Sequence, residues 1–226
     1  MTARRREVPP AGAWSDAADK QNQAKQNAAE IVTAPATWSD VERLFGTRGE
    51  PSRCWCRWFT LPGAAWKETD PVQRRQLLRE RFDAGLPEPG VLAYREDEPV
   101  GWCAVEPRHS YPRIIASQLL RKSGLNATDE TTTVAEEAIW AVSCFVVAPG
   151  HRRTGVAAAL LDAAVAHAFN HGAAIVEGYP VDAAQRPAAG SSDLYHGTVG
   201  LFRAARFTVA ATPAPGRVVM RLNRAT

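Results

Sequence analysis

Residues 138–172, AIWAVSCFVVAPGHRRTGVAAALLDAAVAHAFNHG, constrain the fold more than any other part of the chain. From Ile139 to Val147 the residues are almost all apolar, with β-branched and aromatic side chains prominent, which predicts a buried strand. Ala148-Pro149-Gly150 ends it, because proline cannot donate to a ladder and glycine permits a turn. From Val156 the apolar residues follow helical spacing, through Leu160, Leu161, Ala164, Val165, Ala168 and Phe169, and His171-Gly172 supplies a stop. Between strand and helix runs the basic loop His151-Arg152-Arg153-Thr154-Gly155-Val156-Ala157. First-turn N–H groups lack intrahelical partners, and the helix dipole makes that end attractive to anions. Gly155 lets backbone approach a pyrophosphate, while Arg152 and Arg153 add charge. An Arg-rich solvated turn is the plainer alternative.

Other phosphate-binding patterns fit poorly. No Lys follows Gly155 as GxxxxGK[ST] requires, and GxGxxG is absent. The stretch resembles instead the acyl-CoA motif of the GNAT N-acetyltransferase superfamily, [QR]-x-x-G-x-[GA], here Arg152-Arg153-Thr154-Gly155-Val156-Ala157. The flanking order of elements agrees. Asp70-Pro71 opens a helix ending near Gly85, by the N-cap-then-proline rule. Gly90–Tyr94 and Val100–Val105 form a hairpin about a polar turn. Pro107–Thr133 is a long polar connection with a short helix at Ile115–Lys122, and reads as a lid or a surface insertion. After the central unit come a strand at Ala173–Tyr179, parallel to the one before, and a Pro/Gly/Ser/Ala loop over 180–193. A helix at Tyr195–Ala205 and two closing strands finish the chain. The resemblance covers roughly residues 37–224. It implies an α/β fold with a mixed central sheet, splayed between its fourth and fifth strands and flanked by helices.

Residues 1–35 read as a flexible or solvated segment and 36–226 as the domain, the folded part beginning near Ile31 or Thr37. The first thirty residues have helix propensity without an apolar stripe. The net charge of +3 comes from scattered arginines rather than a basic face, which disfavours a nucleic-acid partner. No apolar run reaches membrane-spanning length, and the Arg cluster near the start has no hydrophobic region behind it, so neither a membrane nor a signal peptide is expected. Four cysteines without a disulfide pattern suit a cytoplasmic protein with reduced thiols.

Cys54-Trp55-Cys56 stands in an unusually aromatic run, Arg53 to Trp66. Structural zinc sites usually take CxxC spacing and a second pair, so no metal is expected. Core packing and an acceptor-pocket wall are the remaining readings of this run. Similar Cys-Trp-Cys segments occur in one bacterial subgroup that the chain resembles.

The resemblance implies acetyl-CoA as co-substrate and a small-molecule amine as acceptor, with self-association as a homodimer left open. It also implies that backbone groups of Phe145, Val146 and Val147, where the sheet splays, meet the thioester arm. Family members often carry a Tyr on the last helix, five residues before the Phe of a Gly-Phe pair. Here Arg206-Phe207 replaces the pair and Phe202 occupies the Tyr position. Tyr195, about two helical turns earlier, is the alternative acid; capping and core roles are equally open to it. Glu106 at the end of the third strand is the leading candidate base, with Glu136, Glu137, Glu177 and His109 behind it. Carboxylates at strand ends are also commonly just solvated. Water chains without a dedicated base, and a CoA-binding domain without transferase activity, remain open.

Overall fold

The computed structural model describes residues 30–46, 48–122, 124–125, 134–186 and 194–225. The polar segment 1–29, residues 123 and 126–133 of the 107–133 connection, and residues 187–193 lie outside the described residues.

The hairpin forms as its alternation requires: β2 (Gly90–Arg95) and β3 (Glu98–Pro107) pair antiparallel around a polar turn. Upstream, β1 (Ile31–Pro35) adds to the free edge of β2, so the sheet takes in residues 31–35, which the sequence assigns to the preceding segment. β4 (Ile139–Val147) pairs antiparallel with β3, with a register shift that leaves Ser143 as an extra residue. β5 (Ile175–Gly178) is parallel to β4, and β6 (Thr208–Ala214) and β7 (Arg217–Asn223) close the other edge. The seven strands run in the order β1-β2-β3-β4-β5-β7-β6.

Short helices α1 (Trp38–Phe45), α2 (Glu50–Cys54) and α3 (Gly63–Glu68) precede α4 (Pro71–Asp83). α4 starts with a full capping box, Asp70 accepting from Gln73 N–H and Gln73 from Asp70 N–H. On this side of the sheet Trp55, Phe45, Trp102 and Leu78 pack into one core. The connection after β3 carries α5 (Pro112–Ile115) and α6 (Gln118–Lys122). On the other face lies α7 (Val156–Asn170), burying Val156, Leu160, Leu161, Ala164, His167 and Ala168 against β2, β3 and β4. The close approach of α7 needs Gly101: a Cβ there would lie 2.6 Å from Val156 Cγ1 and 2.9 Å from Leu160 Cδ1.

The last helix, α8 (Val199–Ala204), is shorter than the sequence suggests. Gly197 takes φ +75° and Thr198 caps the helix by accepting from Leu201 N–H, so Tyr195 precedes α8. Phe202 is fully buried, edge-on to Phe145 and Phe207, with its ring lying over Gly178.

Candidate active site

The ladder between β4 and β5 ends at Val142–Gly178, while β4 runs on to Val147. Beyond that point β5 gives way to Val181, which bridges Thr198 and Arg217 instead. The sheet therefore opens over the last five residues of β4, with the loop leading into α7 at its rim.

That loop is held in shape from several sides. Arg153 (φ +62°) and Gly155 (φ +90°) both take the left-handed conformation, which only glycine adopts without strain. Thr154 Oγ1 donates to His151 O at 2.7 Å, and buried Arg95 donates from Nη2 to Thr154 O at 3.1 Å. The sequence places Arg95 in an ordinary polar turn; its bracing role is visible only once β2 is laid beside the loop. Gly155 is the N-cap residue of α7 with no side-chain cap, so the first-turn N–H groups are left facing out. Arg152 and Arg153 are exposed, and Arg152 Nε donates to Val147 O at 3.3 Å.

Strand parity sorts the three expected backbone donors. Ala148 N–H donates to Val100 O, so Val146 and Cys144, two and four residues back, likewise turn their amides toward β3. Val146 N–H is thus committed to the ladder. Phe145 and Val147 turn theirs to the opening. Phe145 N–H is already taken, donating to Tyr195 O at 2.7 Å. Val147 N–H is the donor left to face the opening.

The Tyr195 side chain packs among Cys144, Trp55 and their neighbours, within electrostatic reach of Arg152 and Glu50. Burial, then the neighbouring Cys144, raises its pKa, so the phenol stays protonated at neutral pH. Glu106 corrects the expectation of a free base. Its side chain is 4% exposed and accepts from Arg81 Nε at 2.5 Å, so it is paired rather than free. Burial nevertheless raises its pKa, Arg81 and Arg57 only partly opposing this. Glu177, 0% exposed, is tied to Arg221 Nε (2.7 Å), Arg108 Nη1 (3.3 Å) and Tyr179 O–H (2.6 Å). Glu136 also accepts from Arg108. Both carboxylates are held in ion pairs with Arg108.

Beyond β5 lies a cavity of about 260 Å³. Trp58, Phe59, Arg113, Tyr179, His196 and Arg217 line it, with aliphatic residues of α5, α6 and β7 between them. His196 packs edge-on to Phe59 at 5.0 Å. Of the aromatic run read as pocket wall or core, Trp55 is core, 4% exposed and stacked on Trp38, whereas Trp58 and Phe59 reach the cavity. Cys56 Sγ lies 3.5 Å from Cys144 Sγ in the same core. Among the described residues no three metal-ligating side chains converge, and no helix is long and apolar enough to cross a membrane.

The family model described as Acetyltransferase (GNAT) family matches residues 55–190, more than half of the chain and the whole strand–loop–helix unit. The chain belongs to the GNAT acetyltransferase family. Solved structures of similar fold include the C-terminal condensation domain of Ebony in complex with beta-alanyl-dopamine, 8% identical over 87% of this chain and 100% of that one, with a TM-score of 0.54. An N-acetyltransferase from Staphylococcus aureus Mu50 is 12% identical over 86% and 99% of the two chains, with a TM-score of 0.51. yncA from Salmonella typhimurium, solved with its cofactor acetyl-CoA, is 12% identical over 85% and 93%, with a TM-score of 0.47. A search of curated proteins gave no match. In this GNAT chain His196 and Arg113 escaped sequence reasoning, since no spacing links them to the aromatic run that supplies Trp58 and Phe59. The α/β sheet opened between β4 and β5, expected from the motif, is present.

Proposed function

We propose that this protein transfers the acetyl group of acetyl-CoA to the primary amine of a small acceptor. The observation that carries this reading is the combination of an opened β4 edge with an uncapped helix N-terminus at its rim. In this reading the first-turn N–H groups from Gly155 to Ala157, with Arg152 and Arg153, hold the pyrophosphate. Val147 N–H donates to the acyl-bearing arm where it passes the opening. The cavity behind β5 receives the acceptor, and its size suits a small molecule.

Two side chains at this junction have the chemistry that proton transfer needs. His196, on the cavity wall beside Tyr195, accepts the proton lost by the attacking amine. Tyr195, part-buried beside Cys144 and protonated at neutral pH, returns a proton to the departing CoA sulfur. The acyl carbon exchanges its C–S bond for a C–N bond, and the products are an amide and free CoA.

The test is amine-dependent release of CoA thiol across a panel of amines. Release is expected from wild type, falling by roughly 100-fold in Tyr195→Phe, the usual contribution of a positioned acid. A second reading, a CoA-binding domain without transferase activity, is favoured by Phe202, which fills the family's Tyr position with a buried ring that has no proton to give. Binding of acetyl-CoA without amine-dependent release would establish that second reading.

A further inference from the structure

Three of the buried or part-buried arginines of this protein have acidic partners, whereas buried Arg95 donates to a backbone carbonyl. Arg108 is held by Glu136 and Glu177, Arg221 by Glu177, and Arg81 by Glu106. Such pairing is what desolvation demands, because an uncompensated guanidinium in the interior is costly. Arg113 is not paired in this way. It lies on α5 at the cavity wall, its Nε donating to Leu61 O at 3.1 Å and its guanidinium stacked on Trp58, 3.9 Å from the ring centroid. Its Nη2 is buried without a hydrogen-bond partner, and no carboxylate among the described residues pairs with it. Burial lowers its pKa, as expected for a cation without a counter-ion, although a guanidinium stays charged at any physiological pH. Among the described residues the rest of the lining adds Arg217 and His196, aromatic and aliphatic surface, and no Asp or Glu.

From this we infer that the acceptor carries an oxyanion, a carboxylate or a phosphate, which Arg113 binds while Trp58 and Phe59 cover its apolar part. The inference rests on the reading that the cavity receives the acceptor. A planar, pre-oriented fork fits either oxyanion, and stacking on Trp58 fixes its plane before a ligand arrives. Polycationic acceptors such as polyamines and aminoglycosides would set like charge against Arg113, with no acidic group among the described wall residues to offset it. The amine end of an oxyanionic acceptor would lie toward His196 and the open edge of β4.

The test uses matched ligands on the CoA-saturated protein. N-acetylphenylalanine is titrated calorimetrically against N-acetylphenethylamine, and N-acetylphosphoethanolamine against N-acetylethanolamine; the parent amines are compared by turnover. In wild type the oxyanion member of at least one pair should bind about tenfold tighter or more, the usual worth of a charge-assisted hydrogen bond. The pair that shows the preference distinguishes carboxylate from phosphate. Arg113→Gln should abolish the difference, and Arg113→Lys, which keeps charge without the fork, should restore part of it. Equal or tighter binding of the neutral members or of spermidine overturns the inference. So does a preference that survives Arg113→Gln, or the lack of measurable binding by either oxyanion. Turnover without oxyanion preference would reject this inference alone. Oxyanion preference without turnover would reject acetyl transfer and leave the site standing.

Discussion

Gly101→Ala tests how the fold sets up the loop proposed to hold phosphate. A methyl group at this position meets Val156 Cγ1 at 2.6 Å and Leu160 Cδ1 at 2.9 Å. Ordinary contacts between carbon atoms begin near 3.5 Å, so about 1 Å of room must be found. Val156 is β-branched and cannot swing aside on a helix, so the first turn of α7 has to move off the sheet. Overpacking of this kind costs about 1–3 kcal/mol, which for a domain of this size lowers Tm by about 2–12 °C. Because Val156 follows Gly155, the same displacement shifts the N–H groups that face the opening, and acetyl-CoA affinity should fall with stability. Gly200→Ala is the control. Its added Cβ meets only Thr198 Oγ1, at 4.0 Å, on the exposed side of α8, and should raise stability by about 0.5–1 kcal/mol through helix propensity. Melting curves and calorimetric titration read both effects. A Gly101→Ala protein with unchanged Tm and unchanged acetyl-CoA affinity would refute the reasoning.

Three further outcomes follow from the buried charges and thiols. Glu177→Gln leaves Arg108 and Arg221 facing a neutral amide inside the sheet and should cost about 3–5 kcal/mol in urea unfolding; a loss below 1 kcal/mol would show the cluster to be inert. Burial, and then the neighbouring Cys56, push the Cys54 thiol from 9.0 to about 11, so at pH 8 the native protein should alkylate there about 100-fold more slowly than the urea-unfolded chain. Equal rates by mass spectrometry would contradict that burial. His167, whose Nε2 meets Glu88 O at 3.1 Å, has its pKa lowered from 6.5 by burial and then by His171. The unfolded chain therefore binds the proton more readily, and stability falls as pH drops below about 6.5. Thermal melts from pH 7 to 5 should show a shallower decline in His167→Gln than in wild type; parallel slopes would remove His167 from the explanation.

The parts of the fold legible in the sequence are those where burial leaves one periodic solution. β4 is almost entirely apolar because both its faces are covered, and α7 shows its core stripe directly. β1 was hidden because it is a five-residue, partly exposed edge strand ending in proline. The Tyr195 segment reads as helix by composition, yet Gly197 and the Thr198 cap delay α8 to Val199. Which β4 amides face the opening depends on pairing parity with β3, which strand composition does not encode. Likewise Trp55 and Trp58 look equivalent in the aromatic run. Left-handed backbone at Trp55 and Cys56 turns the former into the core, while Trp58 reaches the cavity. Arg113 gave no signal at all, since a missing counter-ion is a fact of three-dimensional surroundings.

The central claim is that the loop around Gly155 holds the pyrophosphate of acetyl-CoA. Calorimetric titration of acetyl-CoA into wild type and Gly155→Glu tests it most directly. The substitution places a side chain and a negative charge at the N-terminus of α7, on a residue at φ +90° with only Ile31 Cδ1 nearby, at 3.7 Å. The account predicts saturable binding to wild type, weakened about 100-fold or more in a variant whose melting curve still shows a folded protein. Undiminished binding to that variant, or none to wild type, would contradict it.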